Sequence, residues 1–206
     1  MTAASALTSR ALKLKASTAD LHDRIDNSIM AKDPFASIER YLQFLTLQYL
    51  FLKDVAALYE HRELSMHIDD LKSRRRLGLL EQDFADLQHT LPVPSLSPFI
   101  TTSTEFATAL GALYVVEGSK VGAAMLGRQV QARLPVTGEY GARYLAGPGS
   151  GRGSAWRHLI QFIDTVELTS AQEDALITGA RQAFMRFQQY QAEVYAKYYW
   201  YKLNVE

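Results

Sequence analysis

With 206 residues, 48% of them hydrophobic, the chain can bury one sizeable core, and its length fits one domain spanning 1–206. Its 22 lysines and arginines balance 22 aspartates and glutamates, which argues against nucleic acid as a partner because phosphate binding normally leaves a basic excess. The absence of cysteine excludes disulfides, thiolate metal sites, iron–sulfur clusters and cysteine nucleophiles.

The first ten residues lack the basic-then-apolar order of a secretory signal and are expected to form a mobile extension. No apolar run reaches the length of a membrane span, so the expectation is a soluble cytoplasmic monomer without membrane insertion. Over residues 11–30, Leu14, Leu21, Ile25 and Ile29 recur at helical spacing. Asp33 is the expected N-cap of a second helix, with Pro34 at its first position and an end near residue 61. A more polar helix is expected over 68–88, and the three prolines of 91–98 demand a loop. A long apolar helix over 104–134 is interrupted by Gly111, Gly118, Gly122 and Gly127. The glycine-rich 135–153 reads as a loop with one short turn, followed by helices over 154–166 and 170–199. Thr169 or Ser170 would cap the last one, with Glu173 in capping-box position, and 195–206 forms an aromatic, basic tail. The sum is an all-α, single-domain bundle of about six to eight helices.

Two constellations carry chemistry. His22 and Asp26, four residues apart, share a face of the first helix, and Lys15 lies on the same face ~10 Å away along the axis. A carboxylate there can hold one imidazole nitrogen and leave the other free as a metal ligand. A solvated helix with charge support at i,i+4 gives the same spacing, so the pair alone decides nothing. His61, His67 and His89 show no ligand spacing and are expected to be solvated helix ends.

In the long helix, Gly118 and Gly122 leave a side-chain-free strip, with Tyr114 four residues earlier on the same stripe. Such a strip lets backbone approach a planar ligand, and glycine pairs can kink a helix. It equally suits close helix–helix packing. Gly118-Ser119-Lys120 is not a nucleotide loop, and no dinucleotide fingerprint follows a strand.

The segment from Leu12 to Asn27 (basic residue, six residues, histidine, three residues, acidic residue) resembles the proximal helix of heme oxygenases. The stretch Tyr114-Val115-Val116-Glu117-Gly118-Ser119-Lys120-Val121-Gly122 resembles their distal helix, in the wording of the bacterial iron-acquisition branch. That branch is also similar at Lys32-Asp33-Pro34-Phe35, at Gly141-Ala142-Arg143-Tyr144-Leu145 and around Phe184, so the likeness covers roughly residues 12–190.

The resemblance implies heme sandwiched between a proximal and a kinked distal helix. It makes His22 the axial iron ligand, Asp26 its acidic neighbour, Lys15 a propionate partner, and Gly118 and Gly122 the backbone over the reacting face. Tyr114 and Phe184 would line the pocket, and Arg157, with His158 beside it, is the candidate for the second propionate. Ser119 stands where mammalian-type members place an aspartate that orders distal water, as in bacterial relatives. The implied reaction is oxidative cleavage of heme, as cofactor and substrate together, to biliverdin, carbon monoxide and ferrous iron. It consumes O2 and takes electrons from an external donor, a reductase or ferredoxin. Lys15 with Tyr114 resembles members that open the α-meso carbon, which implies biliverdin IXα. The rival reading is a heme carrier or store without turnover. A carboxylate di-iron bundle is poorly supported, because no Glu-x-x-His motif occurs.

Overall fold

The computed structural model describes residues 9–147 and 151–205, without the side chains of Arg152 and 197–205. Among the described residues there are eight α-helices and no β-strand. Helix α1 (Arg10–Met30) starts at Ser9, whose hydroxyl oxygen accepts a hydrogen bond from the Leu12 amide at 3.1 Å. Asp164 in turn accepts from the Ser9 hydroxyl and the Ala11 amide. The expected mobile extension is therefore anchored at Ser9 and Arg10, and its residues 1–8 lie outside the described residues.

Helix α2 (Ile38–Asp54) begins later than expected. Its cap is Ser37, which accepts from the Arg40 amide; Asp33 is in left-handed backbone (φ +43°), unsuited to an N-cap, and pairs with Arg133 at 2.7 Å. Apolar side chains all round α2, from Tyr41 to Leu52, place it inside the core. A 3-10 turn (Ala56–Glu60) and α3 (Arg62–His67) follow. His61 is not solvated, because it caps α3 through the Leu64 amide and its Nε2 lies 2.7 Å from the Thr104 carbonyl oxygen. His67 does end a helix at the surface, with its ring stacked 5.0 Å from that of Phe162.

The single helix expected over 68–88 is split into a 3-10 turn (Leu71–Arg74) and α4 (Leu77–Asp86). At the break, the Arg74 carbonyl is turned out of the helical ladder and accepts from the Lys120 ammonium at 2.6 Å. Helix α5 (Phe106–Arg133) is unbroken and capped by the Glu105 carboxylate. It is long and apolar enough to count as a membrane span, contrary to the sequence expectation, yet 56% of the apolar window is buried within the protein. The short α6 (Arg143–Ala146) offers the Arg143 and Tyr144 amides to the buried Asp83 carboxylate. Helices α7 (Arg152–Thr165) and α8 (Ser170–Val205) complete the chain.

Thr169 and Gln172, not Ser170 and Glu173, form the capping box of α8, with Gln172 donating to the Thr169 hydroxyl and accepting from the Thr169 amide. Glu173 instead pairs with Arg10 at 3.1 Å.

Helix α8 is the spine. Helix α1 lies parallel to it, tied by Arg10 to Glu173, by Arg181 to the Ser17 carbonyl and Asp20, and by Gln191 to Ser28. On another side α5 crosses α8 at backbone contact. A Cβ added at Gly111 would fall 2.0 Å from the Leu176 carbonyl oxygen, and one at Gly179 would fall 2.2 Å from that of Thr108. The buried apolar residues of all these helices, Leu21 apart, form one cluster. The tail expected from residue 195 is a continuation of α8, and Tyr195 is buried; the side chains of 197–206 lie outside the described residues.

Candidate functional site

Helices α1 and α5 share α8 as their support, and each leaves one face uncovered. On α1 the buried stripe Leu14, Thr18, Leu21, Ile25 and Ile29 faces the core, which turns Lys15, His22 and Asp26 outward. The His22 side chain keeps 58% of its surface open. Its Nδ1 lies 3.4 Å from the Asp26 carboxylate and 3.8 Å from that of Asp23, and its Nε2 makes no hydrogen bond among the described residues. The edge of Phe184, half-buried on α8, meets the ring at 5.9 Å between centroids. The imidazole is thus held on two sides with one nitrogen lone pair available. Lys15 is exposed, and its ammonium has no partner among the described residues.

The glycines of α5 have four different surroundings. Gly111 meets α8 backbone, and a Cβ added at Gly127 would fall 3.4 Å from Leu145. Gly118 faces the tip of the Trp156 ring, 3.2 Å from where its Cβ would stand. Nothing lies within 4 Å of the Cβ position of Gly122. Around Gly122 the helix exposes Val121 and Met125, 46% and 66% open, and Tyr114 stands one turn before Gly118 with its ring 5.3 Å from that of Trp156. An exposed apolar stripe interrupted by bare backbone suits a flat, apolar ligand. Ser119 is exposed, and its hydroxyl donates to the Val116 carbonyl of its own helix at 2.8 Å.

Helix α7 spans both sides. Its start sets Trp156 against α5, and its end, through Asp164 and the carbonyls of Ile163 and Val166, holds the beginning of α1. Arg157 follows Trp156, is exposed, and has no ion pair among the described residues. His158 is exposed beside Asp70, whose carboxyl is lowered chiefly by Arg74.

A single outward imidazole with a carboxylate behind it, and an apolar strip of helix backbone, fit heme. Comparison with known proteins agrees. The family model described as heme oxygenase matches residues 8–193. Heme oxygenase PigA of Pseudomonas aeruginosa is 37% identical over 179 residues, which is 86% of this chain and 89% of that protein. The crystal structure of the NO- and CO-bound heme oxygenase from Neisseria meningitidis matches with a TM-score of 0.83 and 36% identity, covering 91% of this chain and 92% of that one. The chain belongs to the heme oxygenase family. It is an all-α heme oxygenase, and its activity is the degradation of heme.

Two parts of this heme oxygenase escape sequence reasoning. Trp156 is the aromatic that abuts Gly118 and Tyr114, next in sequence to the Arg157 singled out there. Beneath Gly118 and Gly122 lies a buried polar cluster. The Lys120 ammonium donates to Glu117 (2.5 Å), to the Tyr59 hydroxyl (3.0 Å) and to the Arg74 carbonyl (2.6 Å), and Tyr59 donates to Glu117 (3.0 Å). Burial pushes the Lys120 ammonium down to about 8 despite Glu117, and Arg76 and Arg74 add to the push. The only sequence hint was a glutamate and a lysine at i,i+3 in an apolar helix.

Proposed function

We propose that this heme oxygenase opens heme at the α-meso carbon, releasing biliverdin IXα, carbon monoxide and ferrous iron. The reaction consumes O2 and electrons from a reductase or ferredoxin, and it serves iron release from heme in the cytoplasm, where reduced donors are available. The observation that carries the reading is His22, whose Nδ1 is backed by Asp26 while its Nε2 is left open.

Bound heme supplies the iron that activates O2 and the ring that is oxidised. His22 would hold the iron through its open Nε2. Asp26, 3.4 Å from Nδ1, would accept a hydrogen bond from it on ligation, fixing that tautomer and strengthening the ligand. The edge of Phe184 limits rotation of the imidazole. On the other side, the open backbone at Gly122, with Trp156 bordering it at Gly118, would let α5 lie close over the ring, and Val121 and Met125 would exclude water from its apolar part. Lys15 would take one propionate and Arg157 the other. Together with Tyr114 they set the in-plane rotation of the ring and so the carbon that is attacked. Ser119, bonded to the Val116 carbonyl, leaves its lone pairs to accept from distal water.

The test is a single turnover with heme, O2 and an electron donor, followed by chromatography of the bilin. The expected product is predominantly the α isomer; mainly β or δ isomers would overturn the assignment of Lys15 and Tyr114. In the same assay His22→Ala is expected to lose the axial ligand spectrum and nearly all turnover, and unchanged activity would remove His22 from the iron.

A further inference from the structure

Glu117 and Lys120 bracket Gly118, yet they point away from the open face and are each only 5% exposed. A buried ion pair seldom improves on an apolar pair of similar volume, so its use lies in fixing one geometry over others. Here the pair belongs to a closed circuit. Lys120 holds the Arg74 carbonyl, and the Arg74 guanidinium, anchored on Asp70 at 2.7 Å, donates to the Ala155 carbonyl at 3.2 Å. Ala155 precedes Trp156, and the Trp156 ring returns to α5 at Gly118 and Tyr114. Tyr59 braces the inner side by bonding both charged groups. Outside this circuit, no other hydrogen bond is made among the described residues between the first turn of α7 and the segment 56–76.

The geometry points to Lys120 as a positioning residue that, through Arg74 and Ala155, sets where Trp156 stands over Gly118 and so fixes the gap on the distal side of heme. The inference rests on the reading that Gly118 faces heme. Its mechanical part, the link from Lys120 to Trp156, is independent of heme and can be measured without it. The Lys120 and Arg74 side chains in the link are 5% and 7% exposed, and the Arg74 guanidinium is held by Asp70 at its far end, so a shift of the Arg74 backbone at Lys120 is passed to Ala155 through a side chain fixed at both ends.

The experiment uses the full chain carrying Trp200→Phe, so that Trp156 is the sole fluorophore of its kind. Lys120→Met combined with Glu117→Gln removes both charges at nearly constant volume, and Arg74→Met cuts the link at its other end without leaving a buried carboxylate. In the heme-free protein both variants are expected to keep the far-ultraviolet circular dichroism of the parent, to red-shift Trp156 emission and to raise its acrylamide quenching about twofold. With heme bound, both are expected to alter the ferric spectrum and to lower kcat about tenfold or more while heme Kd stays within about threefold, since displacement of the reacting geometry costs rate. Lys120→Arg, which keeps the charge, is expected to recover part of the emission and the rate. Unchanged emission and quenching in folded variants would overturn the link. A shifted emission with unchanged ferric spectrum and kcat would overturn the distal role instead. If the double variant does not fold, Arg74→Met alone decides. Failure of the heme-site reading itself would show differently, as retained turnover in His22→Ala.

Discussion

The two halves of the proposed heme site, α1 and the open stretch of α5, are built on opposite principles. On α1 the working groups are exposed, and their polar partners are four residues away or fewer, His22 with Asp26 and Asp23, the edge of Phe184 on α8 being the distant contact. On α5 the open face is nearly bare, and its shape depends on partners far along the chain: Trp156 against Gly118, and Tyr59 and Arg74 on Lys120. The local half needs a helix and one aromatic edge from α8. The distal half needs the whole bundle to close correctly, because a strip without side chains has no means of holding its own neighbours in place. A ligand atom can therefore be supplied cheaply by one surface turn, whereas a gap of defined width takes a buried, cross-linked helix.

The sharpest way to break this contrast is within α5 itself, where two glycines have opposite tasks. Gly111→Ala places a methyl group 2.0 Å from the Leu176 carbonyl, and backbone cannot step aside as a flexible side chain would. The expected loss is about 3 kcal/mol, at the upper end of overpacking penalties, read as a fall in the urea midpoint of the heme-free protein. Gly122→Ala meets no atom within 4 Å and exchanges a poor helix former for the best one. It should raise stability by up to about 1 kcal/mol and still depress turnover, because the added methyl group stands where the heme plane approaches. If Gly122→Ala left turnover intact, the open strip would not be the distal surface.

A smaller effect is expected on the proximal side. Asp26→Asn keeps the size of the side chain but weakens its acceptance from Nδ1. Removing such a partner typically costs about tenfold in metal-site affinity or activity, so a change of this order is expected in heme Kd or kcat. The fold should be untouched, since Asp26 is exposed and contacts no buried group. A matching drop in thermal stability would mean that Asp26 supports the helix rather than the ligand.

The same division explains what the sequence disclosed. Helices with a one-sided apolar stripe, such as α1, were legible to within a residue or two, and so was the His22–Asp26 pair, because spacing along one helix fixes both. The resemblance of the two motifs to heme oxygenases added the family. Boundaries failed where a distant group competed for local backbone. Asp33 is drawn into a left-handed turn with its carboxylate on Arg133, 100 residues away, and the helix expected through Arg74 breaks where Lys120 takes its carbonyl. His61 passed for a surface residue because its acceptor, the Thr104 carbonyl, is 43 positions distant. The four glycines of α5 look alike in the sequence, and only their neighbours across the bundle separate packing glycines from the open one.

The least of the expected effects concerns the charge buried behind the distal strip. Burial holds the Lys120 ammonium at about 8, against the ordinary 10.5, with Glu117 opposing the shift and Arg74 and Arg76 reinforcing it. Tyr59, the other titratable group against it, is pushed well above its ordinary value, chiefly by burial and then by Glu117, and stays protonated. The sign follows from proton counting. Between pH 8 and 10.5 the unfolded chain keeps the lysine proton while the folded protein has given it up, so the unfolded state binds more protons and stability rises with pH through this interval. Below pH 8 both states are protonated and the full cost of burying the charge is present. The gain between pH 8 and 9 should be about 1 kcal/mol. Urea denaturation at those two values should detect it as a difference between the parent and Lys120→Met with Glu117→Gln, in which every other group that titrates between pH 8 and 9 is shared. Parallel pH dependence in the two proteins would mean that Lys120 ionises as an ordinary surface lysine. The distal half would then be held by packing alone, and the contrast with α1 would lose its electrostatic part.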